Sequence, residues 1–225
     1  MKRHFEQELE SLKTSLIKMG SVVEESIALS IKAVLNRDET LAREIIDGDE
    51  RVNSLEMEID NAIIDLLALQ QPVAIDLRLI LAVQKINNDL ERIGDHAVNI
   101  AESALSLVRT RTEESLLELP KMAELAQSML RNALDGFVHL DSKLGRAVLE
   151  QDDLIDELNR KTVTEVVNLM KEDRKTIEAG LDLIRISRNL ERVADLATNI
   201  AEEVIFITHA RVVKHRAGDK DTLPR

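Results

Sequence analysis

LERIGDHAVNIAE, residues 90–102, returns one hundred positions later as LERVADLATNIAE, residues 190–202, with nine of thirteen residues unchanged. Self-similarity at a fixed offset marks a duplicated supersecondary unit. Packing accounts for the repetition of Leu90, Ala97 and Ile100, but not for that of Glu91, Arg92, Asp95, Asn99 and Glu102. The copy extends outward from this stretch. Met19, Asp38, Leu41, Asp49, Val52 and Leu55 match Met122, Asp141, Leu144, Asp152, Ile155 and Leu158 at a slightly larger offset. The second half is therefore shorter where the first carries Gln70-Gln71-Pro72.

Around the repeat the apolar residues keep a helical period. Leu79, Val83, Ile86, Leu90, Ile93, Ala97, Ile100, Ala104 and Leu107 advance by alternating steps of four and three. Leu183, Ile186, Leu190, Val193, Ala197, Ile200, Val204 and Ile207 do the same in the second copy, and Leu9 to Val34 in the first segment. Such seams belong to long helices packed side by side. Breaks are few: Asn36-Arg37-Asp38, where Asp38 is placed to cap the next helix, and Pro72, tolerated at a helix start. The expected fold is all-α: two tandem, similar three-helix bundles, six long helices in all. The expected bounds are residues 1–112 for the first repeat, 113–211 for the second and 212–225 for a flexible tail.

Composition narrows the function. The formal net charge of −12 repels phosphate backbones, and three Phe with no Trp or Tyr leave no stacking platform for bases. No nucleic acid and no direct membrane insertion are expected, since no run approaches the ~20 apolar residues a spanning helix needs. The absence of Cys excludes thiolate chemistry. With no signal-peptide stretch after Met1, the expected location is the cytoplasm. No phosphate loop, nucleophile elbow or metalloprotease motif occurs, so an enzyme is not expected.

On a helical wheel Glu91, Asp95 and Glu102 fall within roughly 40° of one another, opposite the apolar seam, and Glu191, Asp195 and Glu202 repeat them. A solvated helix face is the ordinary reading of an acidic stripe. Carboxylates four apart repel, however, and both halves keep the pair. A bound cation compensates most simply, and carboxylate oxygens favour Mg²⁺, Mn²⁺, Ca²⁺ or iron. The expected metal ligands are Glu91, Asp95, Glu191 and Asp195, with Asp49, Asp152, Glu102 and Glu202 as weaker candidates. His96 becomes Leu196 in the second copy and is not a repeated ligand. Asp76 reads as a first-turn carboxylate favoured by the helix dipole and paired with Arg78.

Gln71-Pro72-x-Ala74-x-Asp76-Leu77-Arg78, followed by Asp89-Leu90-Glu91-Arg92-Ile93-Gly94-Asp95 and then Leu190-Glu191-Arg192-Val193-Ala194-Asp195, closely resembles the PhoU family. The resemblance covers almost the whole chain and implies a pair of three-helix bundles. It also implies a negative regulator of phosphate uptake and of the phosphate-starvation response, bridging the transporter ATPase PstB and the sensor histidine kinase PhoR. The family's Glu/Asp-x-x-x-Asp motif maps to Glu91 with Asp95 and to Glu191 with Asp195. It implies a carboxylate-bound metal ion or cluster of iron, zinc, manganese or magnesium, and a homodimer. Gly94 departs to Ala194 in the second copy, a change expected to leave the carboxylates undisturbed. The alternatives are a helical metal-storage protein without a signalling partner, and a scaffold with no ion.

Overall fold

A computed structural model describes residues 2–110 and 118–209, and among these residues every regular element is helical. The first half runs α1 (Lys2–Asn36), α2 (Glu39–Gly48), α3 (Glu50–Gln70) and α4 (Ala74–Arg109). The second repeats the order as α5 (Leu119–His139), α6 (Ser142–Leu149), α7 (Asp152–Glu172) and α8 (Ile177–His209), with a 3-10 turn at Arg174–Thr176 before α8. The expected boundary at 112/113 and the tail from 212 lie outside the described residues.

Three long helices per half are present, as the periodicity requires, with one refinement. Each expected middle helix is broken into a short and a long piece. Asp38 and Asp141 cap the short pieces, accepting from the Leu41 and Lys143 backbone N–H groups at 3.0 and 2.8 Å. The breaks fall at Gly48-Asp49 and Glu150-Gln151. As a result Asp49 and Asp152 stand at the N-terminal ends of α3 and α7. The α3–α4 connection turns on Gln71, which is left-handed at φ 48°, with Pro72 following.

The halves share one continuous core. Leu12, Leu16, Met19, Ile59, Ile86, Leu90, Met122, Ile186 and Leu190 all belong to the same buried cluster. Burying each such side chain contributes about 1.5–3 kcal/mol. The two longest repeated helices, α4 and α8, pack against each other more extensively than any other pair, and α1 also packs on α5. Lys85 pairs with Glu203 and His96 with Asn189, so numbers rise on α4 as they fall on α8. The two repeats are thus joined antiparallel, through the very helices that carry the acidic motif. No helix among the described residues is long and apolar enough to cross a membrane.

Candidate functional site

The apolar seam of α4 fixes the direction of its acidic stripe. With Leu90, Ile93 and Ala97 fully buried, Glu91 and Asp95 turn toward α3. Glu91 does not face open solvent, as a single-helix wheel implies, but is half-buried in a groove between two helices, whereas Asp95 stays exposed. Asp60 of α3 accepts hydrogen bonds from Gln84 at 3.0 Å and Asn87 at 2.9 Å, which pins the two helices together. In the second half Ser187 donates to Asn159 at 2.6 Å and fixes α7 against α8.

Asp49, Glu56, Glu91 and Asp95 share the first groove. Burial, followed by the Asp95, Glu56 and Asp49 charges, pushes the Glu91 carboxyl above its ordinary range. Burial also raises Asp49, opposed by its hydrogen bond from Asn53 at 3.0 Å and assisted by the Asp95 charge. Glu56 is raised by burial and by Asp60 and Asp95.

Asp152, Asp156, Glu191 and Asp195 form the second groove. Burial, then Asp195, Asp156, Asp153 and Glu191, push Asp152 up to about 6. Its place in the first turn of α7 should favour ionisation through the helix dipole, so burial and repulsion have outrun that effect. The Asp152 Oδ1 atom is buried without a hydrogen-bond partner. Glu191 is raised by burial and Asp195. Asp195 is raised by burial too, although Arg192 donates to it at 2.8 Å.

The four principal expected ligands therefore sit in two equivalent grooves, joined by the weaker candidates Asp49 and Asp152. Glu102 stays exposed, and Glu202 lines a different cleft between α4 and α8. Sequence reasoning missed Glu56 and Asp156. The signal was a spacing of four and seven along the partner helix: Asp49, Asn53, Glu56 in one copy and Asp152, Asp156, Asn159 in the other. Each copy holds two carboxylates and one amide, with the last two exchanged. His96 is half-buried with Nδ1 2.8 Å from Asn189 Oδ1, a polar contact between the halves. Asp76 lies in the first turn of α4, but it forms no ion pair with Arg78, whose Nε is buried without a partner.

Clustered, repelling carboxylates and an orphaned buried oxygen make a donor set that suits a hard cation. As the side chains stand, no three Asp, Glu, His or Cys groups among the described residues converge closely enough to hold one. The residue types suit a hard cation, but their present positions do not bring three of them together.

Comparison with known proteins agrees with the duplication. The family model for the PhoU domain matches residues 16–104 and again 119–204. A phosphate-specific transport system accessory protein PhoU homolog of Pseudomonas putida is 36% identical over 214 residues, covering 95% of this chain and 84% of that protein. The phosphate-specific transport system accessory protein PhoU of Escherichia coli is 33% identical over 216 residues, covering 96% and 90%. Among solved structures, PhoU from Pseudomonas aeruginosa superposes with a TM-score of 0.90 at 35% identity, covering 92% of this chain and all of that one. The phosphate transport system regulatory protein PhoU from Streptococcus pneumoniae gives 0.86 at 30% identity, with 93% and 99% covered.

Proposed function

The chain belongs to the PhoU family, and from that premise we propose that it is an accessory protein of a phosphate-specific transport system that restrains uptake and the phosphate-starvation response. The observation that carries this reading is likeness over almost the full length, in both copies, to accessory proteins of that system. The finer reading is an adaptor, contacting the transporter ATPase PstB and the kinase PhoR from the cytoplasm, as a homodimer. A rigid shared core supports it: two similar surfaces on one body hold two partners at fixed separation.

The same reading gives the acidic grooves a cation. Glu91, Asp95 and Asp49 would hold it in the first, and Glu191, Asp195 and Asp152 in the second. Bound there, the ion would supply positive charge that neutralises the carboxylates and ties α3 to α4 and α7 to α8. The chain's part is to place the acids and to keep them partly out of water. Because apolar burial holds the core, ion removal should alter local order and docking more than total helicity.

Deleting the gene tests the regulatory reading: phosphate-responsive expression should become constitutive, and unchanged repression would refute it. Pull-down with the kinase cytoplasmic domain and with the ATPase tests the adaptor, which fails if neither is captured. Elemental analysis of protein purified without chelator, compared with Glu91→Ala/Asp95→Ala, tests the site. Metal retained in full by that variant would remove the assignment. A storage protein is the second reading, favoured by the orphaned Asp152 oxygen; it predicts metal without any effect of deletion on expression.

A further inference from the structure

Each half carries a second helical stripe beside the one that builds the core. The hydrogen bond from Gln84 to Asp60 sets the register of the antiparallel pair α3 and α4. Counting by threes and fours from that bond in one direction, the stripe reads Glu56, Asn53 and Asp49 on α3, with Glu91 and Asp95 on α4. In the other direction, toward the turn at Pro72, it reads Ile64 and Leu67 on α3, with Leu81 and Leu77 on α4. One face of the hairpin is therefore acidic at one end and apolar at the other.

The second half repeats the pattern. From the Ser187–Asn159 bond, Val163, Val167 and Met170 follow on α7, and Ile184, Leu181 and Ile177 on α8. The carboxylates Asp152, Asp156, Glu191 and Asp195 lie in the opposite direction. Core packing does not account for the apolar ends, because Leu66, Val83 and Leu183 beside them already fill the interior. Ile64 is 60% exposed, Leu181 55% and Leu81 45%. Apolar side chains that recur at helical spacing in both copies and stay in water mark a contact surface.

Two antiparallel helices sharing such a stripe form a groove that a third helix fills by interdigitation. Charge decides what that helix carries. In the first half Lys85 is turned to Glu203 on α8 and Arg92 toward Asp89, so the built-in cations point away from the acidic end. With four carboxylates there, a bound divalent ion still leaves that end negative. A second copy of the chain, docking through the same face, offers apolar residues but no positive charge. An anionic lipid surface is repelled.

We propose that the outer faces of α3–α4 and α7–α8 each dock an amphipathic helix of a partner protein. Its contact face bears large aliphatic residues along one half and Lys or Arg along the other. From Leu67 to Asp49 the stripe covers about 18 residues, roughly 27 Å of helix. This goes beyond the adaptor reading and does not require PstB or PhoR to be the partner, so the two can fail separately.

The probe is a fluorescein-labelled synthetic helix of about 18 residues, with Leu at helical spacing over one half and Lys over the other. Anisotropy titration of the full chain in chelator is expected to show saturable binding at two sites. Exchanging the peptide's Lys for Glu, or its Leu for Gln, weakens binding about tenfold or more. Ile64→Asn/Leu81→Gln removes one site and Ile177→Asn/Leu181→Gln the other; all four residues are exposed, so helicity is retained. Leu35→Gln, which takes an exposed leucine from α1, changes nothing. Should a double variant lose helicity, the exposed Asp95→Asn replaces it, weakening the Lys peptide and not the Glu peptide. No saturation, equal affinity for the Lys and Glu peptides, or an equal loss in Leu35→Gln would each overturn the proposal. So would a dimer that Ile64→Asn/Leu81→Gln dissociates while the peptide fails to bind, or binding to phosphatidylglycerol vesicles in place of the peptide.

Discussion

The two acidic grooves are built on the same frame and differ at two exchanged positions. In the first, Asn53 stands one turn after Asp49 and donates to it at 3.0 Å, and the second carboxylate is set further along at Glu56. In the second, Asp156 occupies the place of Asn53, and the amide Asn159 has moved to the place of Glu56, where it accepts from Ser187. The exchange conserves charge but not strain. Asp49 has a donor, whereas Asp152 has a neighbouring carboxylate and a buried oxygen with no partner. The arginines diverge as well: Arg192 reaches Asp195 at 2.8 Å, whereas Arg92 leans away toward Asp89. Duplication thus preserved the scaffold and left electrostatic compensation to be settled separately in each copy.

Cation binding is where that difference should be largest. Under the proposed function, Mn²⁺ titration should show two unequal sites, the second groove tighter by about tenfold, or roughly 1.4 kcal/mol. Glu191→Gln/Asp195→Asn should remove the tighter site and leave the other; Glu91→Gln/Asp95→Asn should do the reverse. Two sites of equal affinity would break the link between strain and binding.

Exchanging the distinguishing residues comes next. In chelator-treated protein, Asn53→Asp should remove the donor to Asp49 and add a like charge. A loss of about 1–3 kcal/mol is expected, comparable to leaving a buried polar group unsatisfied. Asp156→Asn should act in the opposite direction, raising the melting temperature by a few degrees at about 2–4 °C per kcal/mol. Thermal denaturation of both variants at neutral pH checks the pair. Same-sign shifts would mean that the amide position is not what separates the grooves.

Titration sharpens the comparison at one residue. The folded Asp152 carboxyl keeps its proton up to about pH 6, whereas the ordinary value is 3.8. Since its folded pKa is raised, its contribution to stability is full below the lower value and lost as pH rises through the higher one. In metal-free buffer the advantage of Asp152→Asn over the parent should therefore grow between about pH 4 and 7, reaching roughly 1–2 kcal/mol after solvent screening. A melting-temperature difference that stays flat over that window would contradict the assigned strain. Asp49→Asn, with its donor in place, should give the smaller slope.

Most of the helices were legible because a period of 3.6 is a local property of the chain. The repeated motif was equally plain, and Glu91, Asp95, Glu191 and Asp195 do occupy equivalent places. What the helical wheel lacked was the partner. It set Glu91 opposite the core, and only the packing of α3 shows that this side is half-buried. Glu56 and Asp156 went unread because their exchange hides them from position-by-position comparison of the copies. The short α2 and α6 escaped notice because no proline marks either break; Gly48 punctuates the first, but Glu150-Gln151 carries no such signal in the second. The antiparallel union of α4 with α8 is a tertiary choice, and nothing in either seam distinguishes it from separate bundles.

The smallest effect is expected at Gly94, where the repeat itself departs to Ala194. An added Cβ at Gly94 would lie 3.2 Å from Val52 Cγ1 and 3.6 Å from Asp49 Oδ1. The change is therefore less innocent than sequence comparison suggests, because the new methyl group borders a ligand candidate. Replacing a mid-helix glycine by alanine contributes about 1 kcal/mol through backbone entropy, and the tight approach to Val52 takes back a similar amount. Gly94→Ala should thus change stability by less than about 0.5 kcal/mol. Any effect on Mn²⁺ should be confined to the first groove, through displacement of Asp49. A large loss of stability would show that α3 cannot yield at Val52. A change in the second groove would show that the shared α4–α8 core couples the two grooves, so that neither copy sets its affinity alone.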